Sequence, residues 1–148
     1  MSEPGGEGVV EREIFILSPP EEVFKFLIDP DRLMAWFGIE NDIDPRPGGK
    51  FEVEVSRGNV ARGTYTEVIP FRRVAFTWGW ISPDPMLAAL RPGTSLVEID
   101  LGPKDGGTLL RLRHSRLSDA TTDIHGDRWS RHLAKLASAV PHRRKPAP

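Results

Sequence analysis

The sequence predicts an α+β domain in which a strongly curved antiparallel sheet wraps around one long C-terminal helix. Three observations carry this. Residues 51–55, 97–101 and 110–114 alternate apolar with polar side chains, and the strands of this region are joined by short turns, as in half-buried antiparallel strands. Trp129, Leu133, Leu136 and Val140 recur at helical spacing and define one apolar stripe near the end of the chain. Between the first strand and the sheet region, two proline-led helix starts occur in quick succession.

In chain order, Val9 to Leu17 reads as a strand with Val10, Arg12, Ile14 and Ile16 on one face and Val9, Glu11, Glu13 and Phe15 on the other. Ser18-Pro19-Pro20-Glu21 has the form of a capping box, with proline at the first helical position. The helix it opens carries Val23, Phe24 and Leu27. Asp29-Pro30 starts a second short helix by the same logic, presenting Leu33, Trp36 and Phe37. After the Pro47-Gly48-Gly49 turn, Phe51, Val53 and Val55 alternate with Glu52 and Glu54, and Val60 to Ile69 forms the next strand. Arg72 to Ile81 follows as a strand rich in aromatic residues. Val97, Ile99 and Leu101 alternate with Glu98 and Asp100, which are expected to be solvated. Beyond the Asp105-Gly106-Gly107 turn, Leu110, Leu112 and His114 alternate with Arg111 and Arg113. Helix-start signals cluster over Ser118 to Asp123, and Pro141 ends the last helix.

Composition narrows the function classes. The chain has 148 residues, enough for one domain. A net charge of −1 leaves no electrostatic footprint for nucleic acid or an anionic membrane. The absence of cysteine excludes disulfides, thiolate metal sites and cysteine nucleophiles. No apolar run approaches the ~20 residues of a membrane span, and Met1 to Gly8 has no apolar core of a signal peptide. A cytoplasmic protein is expected. The expected organisation is a disordered segment at 1–8, one domain over 9–141 and a flexible basic tail at 142–148.

The chemistry concentrates in Arg73-Val74-Ala75-Phe76-Thr77-Trp78-Gly79-Trp80. Alternation places Val74, Phe76, Trp78 and Trp80 on one face, a surface that must be covered by a helix, a second sheet or a ligand. The stripe of the last helix, extended back four residues, reaches His125, and seven further on lies His132. Two histidines two turns apart are ~10 Å from each other along a helix, so a shared metal ion would need further ligands, and none is expected. Nucleophile elbows, P-loops and dinucleotide fingerprints are absent from the sequence. His114 reads as a hydrogen-bonded pocket histidine, a ligand contact or a general acid/base.

These residues also carry a resemblance. Pro19-Pro20-Glu21-Glu22-Val23-Phe24, then Asp29-Pro30-Asp31-Arg32-Leu33 with Trp36-Phe37, resemble the opening of the activator-of-Hsp90-ATPase-like family. So do Arg46-Pro47-Gly48-Gly49-Lys50-Phe51, Gly63-Thr64-Tyr65 with Glu67-Val68, and Arg73-Val74 through Trp78-Gly79-Trp80. Gly106-Gly107-Thr108, His114-Ser115 and His125…Trp129…Leu133 complete a collinear similarity from Val9 to Val140. One departure is Arg128 directly before Trp129, where the family usually has glycine; Gly126 comes earlier here. The resemblance implies the helix-grip fold of the START-like (SRPBCC) superfamily, with about six strands gripping the last helix and a cavity between them. It also implies a choice of functions, since that superfamily includes binders of apolar ligands, cyclases and hydroxylase components.

The expected function is non-catalytic binding of a small apolar or aromatic ligand, with no cofactor. The expected wall comprises Trp36, Phe51, Val53, Phe76, Trp78, Trp80, Leu112, His114, His125 and Trp129. Two alternatives stand beside it. One is a cyclase- or hydrolase-type enzyme with His114 or His125 as proton carrier. Tyr65 would be its donor, although the alternation puts Tyr65 opposite Val68 and toward the outside. The other is a chaperone-interaction domain. Finally, Ser82 to Ser95 is too long for a hairpin turn and contains Met86, Leu87 and Leu90. It is expected to cap the cavity mouth or a homodimer contact.

Overall fold

The alternating N-terminal residues form β1 (Gly8–Ile16), with Val10 and Ile16 buried and Glu11, Glu13 and Phe15 exposed. The computed structural model describes residues 8–142, so the expected tails, apart from Gly8 and His142, lie outside the described residues. Two short helices follow, α1 (Pro20–Ile28) and α2 (Pro30–Met34). Strands β2 (Glu40–Ile43), β3 (Lys50–Ser56), β4 (Asn59–Ile69), β5 (Arg73–Trp78) and β6 (Trp80–Ile81) come next. A one-turn helix, α3 (Pro85–Ala88), leads to β7 (Ser95–Lys104), β8 (Gly107–Leu117) and the long α4 (Asp119–Ala139). All pairings are antiparallel, in the order β1-β8-β7-β5-β4-β3-β2, with β6 joined to β4. The curved sheet holds α4 against its concave side, and the α1–α2 pair closes one end.

Local chemistry explains the helix ends, with one correction. Asp29 caps α2, its carboxylate accepting from the Asp31 and Arg32 amides at 2.9 and 3.4 Å. The capping box at Ser18 does not form. Pro19 is the N-cap of α1, and no side chain caps that helix. Ser18 is instead drawn into the core, where its carbonyl accepts from the Thr108 hydroxyl at 2.7 Å and ties the entry of α1 to β8.

The sheet departs from its expected form in three places. The polar segment Glu40-Asn41-Asp42-Ile43 becomes an edge strand through pairing with β3, bringing the sheet to eight strands. The aromatic strand breaks at Gly79: β5 pairs with β7 up to Trp78, whereas Trp80 and Ile81 pair with β4. Third, β4 bulges between Tyr65 and Glu67, so that Tyr65 faces Phe76 and Val68 faces Val74. The extra residue brings both side chains to one face, and Tyr65 is buried inside rather than turned outward.

The outer face carries ordered charge. Glu98 and Asp100 are not simply solvated: both accept from Arg73, at 2.6 and 3.0 Å, and Glu67 joins at 2.9 Å. Arg111–Glu13 (2.7 Å) and Arg113–Glu98 (3.5 Å) extend the ladder to β1. Replacing Arg73 by Met leaves three carboxylates gathered without their cation. This is expected to cost about 1 kcal/mol in urea unfolding, with the loss shrinking as added salt screens the repulsion.

Leu87 and Leu90 enter the chain's own core, and α3 packs against β6 and α4. Two of the three large apolar residues of this loop are therefore buried within the domain, and the third, Met86, stays exposed.

Candidate functional site

The aromatic residues of β5, β6 and α4 meet between sheet and helix. Phe51 stacks on Phe76 with centroids 3.9 Å apart. Trp78 lies 5.4 Å from Trp129 and 5.2 Å from Trp80, so the indoles of sheet and helix share one layer. Phe37, in the turn that follows α2, bridges them, 5.4 Å from Trp36, 5.8 Å from Trp78 and 5.5 Å from Trp129.

Within this layer lies a small void of about 10 Å³, walled by Trp36, Phe37, Phe51, Phe76 and Trp129 and by aliphatic side chains of α1, α2, β5 and β7. It offers room for roughly one water, and its walls give that water no polar partners, so it is dry. The expected cavity between sheet and helix is thus almost filled by the chain's own rings.

Two reciprocal bonds fasten helix to sheet around this layer. Trp80 of the sheet donates its indole N–H to His125 Nε2 of α4 at 2.9 Å. Trp129 of α4 donates to His114 Nδ1 of β8 at 3.0 Å. An indole N–H can only donate, so each of these ring nitrogens must be an acceptor. His125 therefore carries its proton on Nδ1 and donates it to the Thr121 carbonyl at 2.8 Å. His114 carries its proton on Nε2 and donates to Ser95 Oγ at 2.9 Å, and Ser95 donates onward to the Trp78 carbonyl at 2.8 Å.

Both histidines are neutral with both nitrogens committed. Burial holds His114 well below the ordinary imidazole value, and His125, 5.1 Å away, pushes the same way. Burial likewise lowers His125, against the Thr121 carbonyl bond, with Arg128 adding to the lowering. His132, packed edge-on against Phe37 at 4.8 Å, is lowered to about 4 by burial and by Lys135. A proton carrier needs a nitrogen free for its substrate. Neither His114 nor His125 has one here.

Of the ten expected wall residues, Trp36, Phe51, Phe76 and Trp129 border the void. Trp78 stands one ring behind it, and Trp80, His114 and His125 form the hydrogen-bonded end. Val53 and Leu112 are core residues away from the void wall. Sequence reasoning missed the central place of Phe37, the inward Tyr65 and the role of Ser95. Ser95 was findable, since it shares the inward register of Val97, Ile99 and Leu101. Arg128, the residue that departs from the resemblance, lies over Trp80 at 5.5 Å and covers it from solvent. Gly126 leaves room for the Arg12 guanidinium, which a Cβ there would meet at 2.7 Å.

Residues 18–141 match the family profile of the Activator of Hsp90 ATPase homolog 1-like protein. The chain belongs to this family. An AHSA1-like protein from Rhizobium etli is similar at 37% identity, over 99% of this chain and 91% of that one, with a TM-score of 0.73. CalU16 from Micromonospora echinospora is similar at 29% identity, over 95% and 81% of the two chains, with a TM-score of 0.74. A protein from Mesorhizobium loti shares 27% identity over 88% and 95%, with a TM-score of 0.78. No curated protein matches the chain. Like these relatives, this member of the Activator of Hsp90 ATPase homolog 1-like family has the helix-grip fold. Among the described residues no helix is long and apolar enough to cross a membrane, and no group of three or more metal-ligating side chains occurs.

Proposed function

We propose that this domain binds a small apolar or aromatic molecule between the sheet and α4, and does not transform it. The observation that carries the reading is the dry void, walled by five aromatic rings at the junction of α1, α2, the sheet and α4. Two of those rings, Trp36 and Phe37, lie in the turn that follows the five-residue α2, so a shift of that turn would enlarge the space. An entering aromatic ring would replace ring–ring contacts with equivalent ones, which keeps the cost of opening low. The committed nitrogens of His114 and His125 favour binding over acid/base chemistry.

Titration with fluorene, a rigid neutral hydrocarbon, tests the reading through tryptophan fluorescence. Saturable quenching with one site per chain is the expected result. Phe37→Ala enlarges the void and should tighten fluorene binding while costing about 3–5 kcal/mol of stability. Absence of saturable quenching in both proteins would overturn the reading.

A further inference from the structure

The void is not held with equal firmness on all sides. Its sheet and α4 walls belong to paired strands and to a 21-residue helix, tied together by the two indole–histidine bonds. A further part of its wall is Trp36 and Phe37, carried by residues 35–38, which are neither helix nor strand. The helix before them, α2, has five residues, too few to be stable without tertiary contacts. The turn ends at Gly38, whose φ of 85° is left-handed. A Cβ there would meet Val53 Cγ1 at 2.5 Å and the Glu54 carbonyl oxygen at 2.9 Å. Glycine fits this position without strain, and it also has the widest range of backbone angles to move through.

One proline explains how this turn is fastened. The Phe26 carbonyl of α1 would ordinarily accept from the amide four residues on, but residue 30 is proline and carries no N–H. The Trp36 indole takes that place and donates to the Phe26 carbonyl at 2.8 Å. Asn41, just beyond the turn, donates to the Pro30 carbonyl at 2.8 Å. Both bonds run to the corner between α1 and α2, not to α4. Against α4 the turn rests on rings, with Phe37 stacked on Trp129 at 5.5 Å and edge-on to His132 at 4.8 Å. The Trp36 carbonyl also acts on the His132 ring, favouring its proton, yet His132 Nδ1 is buried without a hydrogen-bond partner. The turn thus meets the helix without a locked bond of the kind that Trp80 and Trp129 make.

Resting on the binding reading above, we infer that residues 35–38 are a gate: the turn swings on Gly38 as a local unit, releasing the Trp36 indole from the Phe26 carbonyl and lifting Phe37 off Trp129. The sheet, α4 and both indole–histidine bonds stay in place while it moves. Opening gives access to the void from the α2 side, and closing returns the two rings to its wall.

Native-state hydrogen exchange of the indole N–H groups, read by NMR on the unaltered protein, tests the gate. Trp80 and Trp129 are expected to exchange only through global unfolding, with rates that climb steeply in low urea. Trp36 is expected to exchange about 100-fold faster or more, at a rate nearly independent of urea, because a local opening exposes little surface. A cross-link tests the route. The chain has no cysteine, and Ala35 and Ala134 line one surface groove, so Ala35→Cys with Ala134→Cys can be joined by a bismaleimide and the product verified by mass. The joined protein should take up fluorene about tenfold more slowly or worse than the same variant left unjoined. Trp36 exchange as slow and as urea-dependent as that of Trp80 and Trp129 would overturn the gate, and this decides the matter should the variant fail to fold. Uptake unchanged by the cross-link would overturn the route and leave the binding reading standing. Fast, urea-independent Trp36 exchange without fluorene binding to the unaltered protein would overturn the binding reading, and with it the gate's role, although the turn opens.

Discussion

Acidification from about pH 7.5 to about pH 5 is expected to lower the stability of this domain markedly, before its carboxylates titrate extensively. His114, His125 and His132 are all held below the ordinary value of 6.5, chiefly by burial. In the unfolded chain each takes up a proton near that ordinary value, whereas the folded chain resists. The unfolded state therefore binds more protons below it, and stability falls as pH falls. The contribution is fully present above the unfolded value and is lost downward, to about 4 for His132. A histidine that stays neutral in the folded chain costs at most about 1.4 kcal/mol per pH unit below 6.5, a sizeable share of a typical total of about 5–15 kcal/mol. The bonding has the same sense. A protonated His125 or His114 would turn a second N–H toward the indole N–H of Trp80 or Trp129, and both cross-links between helix and sheet would open. The positive neighbours Arg128, Arg131 and Lys135 oppose protonation of His132 as well. Urea midpoints across this range measure the effect. His125→Gln keeps an acceptor for Trp80 and a donor for Thr121 without titrating, so it should lower the slope by about one proton. A midpoint independent of pH over the window would contradict the neutral, locked histidines.

Gly79→Ala is expected to damage the fold severely. A Cβ at this position would lie 1.9 Å from the Arg91 carbonyl oxygen and 2.2 Å from the Pro92 nitrogen, and backbone atoms cannot swing aside. The segment holding Trp80 must then separate from residues 90–92, breaking the Trp80 N–H bond to the Leu90 carbonyl at 2.8 Å. The Trp80 indole would move away from His125 with it. A loss of about 3 kcal/mol or more is expected in thermal or urea unfolding, with a shifted Trp80 indole resonance. Gly102→Ala is the control: no neighbouring atom lies within 4 Å of the place its methyl group would take, so its effect should stay within about 0.5 kcal/mol.

What could be read in advance follows the range of the interactions involved. β1, β7 and β8 were legible because their alternation is a property of neighbouring residues. The start of α2 was legible because Asp29 caps amides two and three residues away. By contrast, β2 has no apolar signal of its own, and pairing with β3 makes it a strand. The inward turn of Tyr65 depends on one bulge, which shifts the phase of every later side chain on that strand. Of the wall residues, those on strands and on the α4 stripe were legible, while Phe37 gained its place only by meeting Trp36, Trp78 and Trp129.

By itself, the sequence determined the fold class, the order of elements and which faces are apolar, since periodicity and capping act over a few residues. Tertiary structure alone decided that the space between sheet and helix is nearly filled, because a void is what remains after side chains from several elements share one volume. It also decided the protonation of His114 and His125. Each tautomer is set by a tryptophan on a different element, and no local pattern could have paired His114 with Trp129 or left Trp78 without an acceptor.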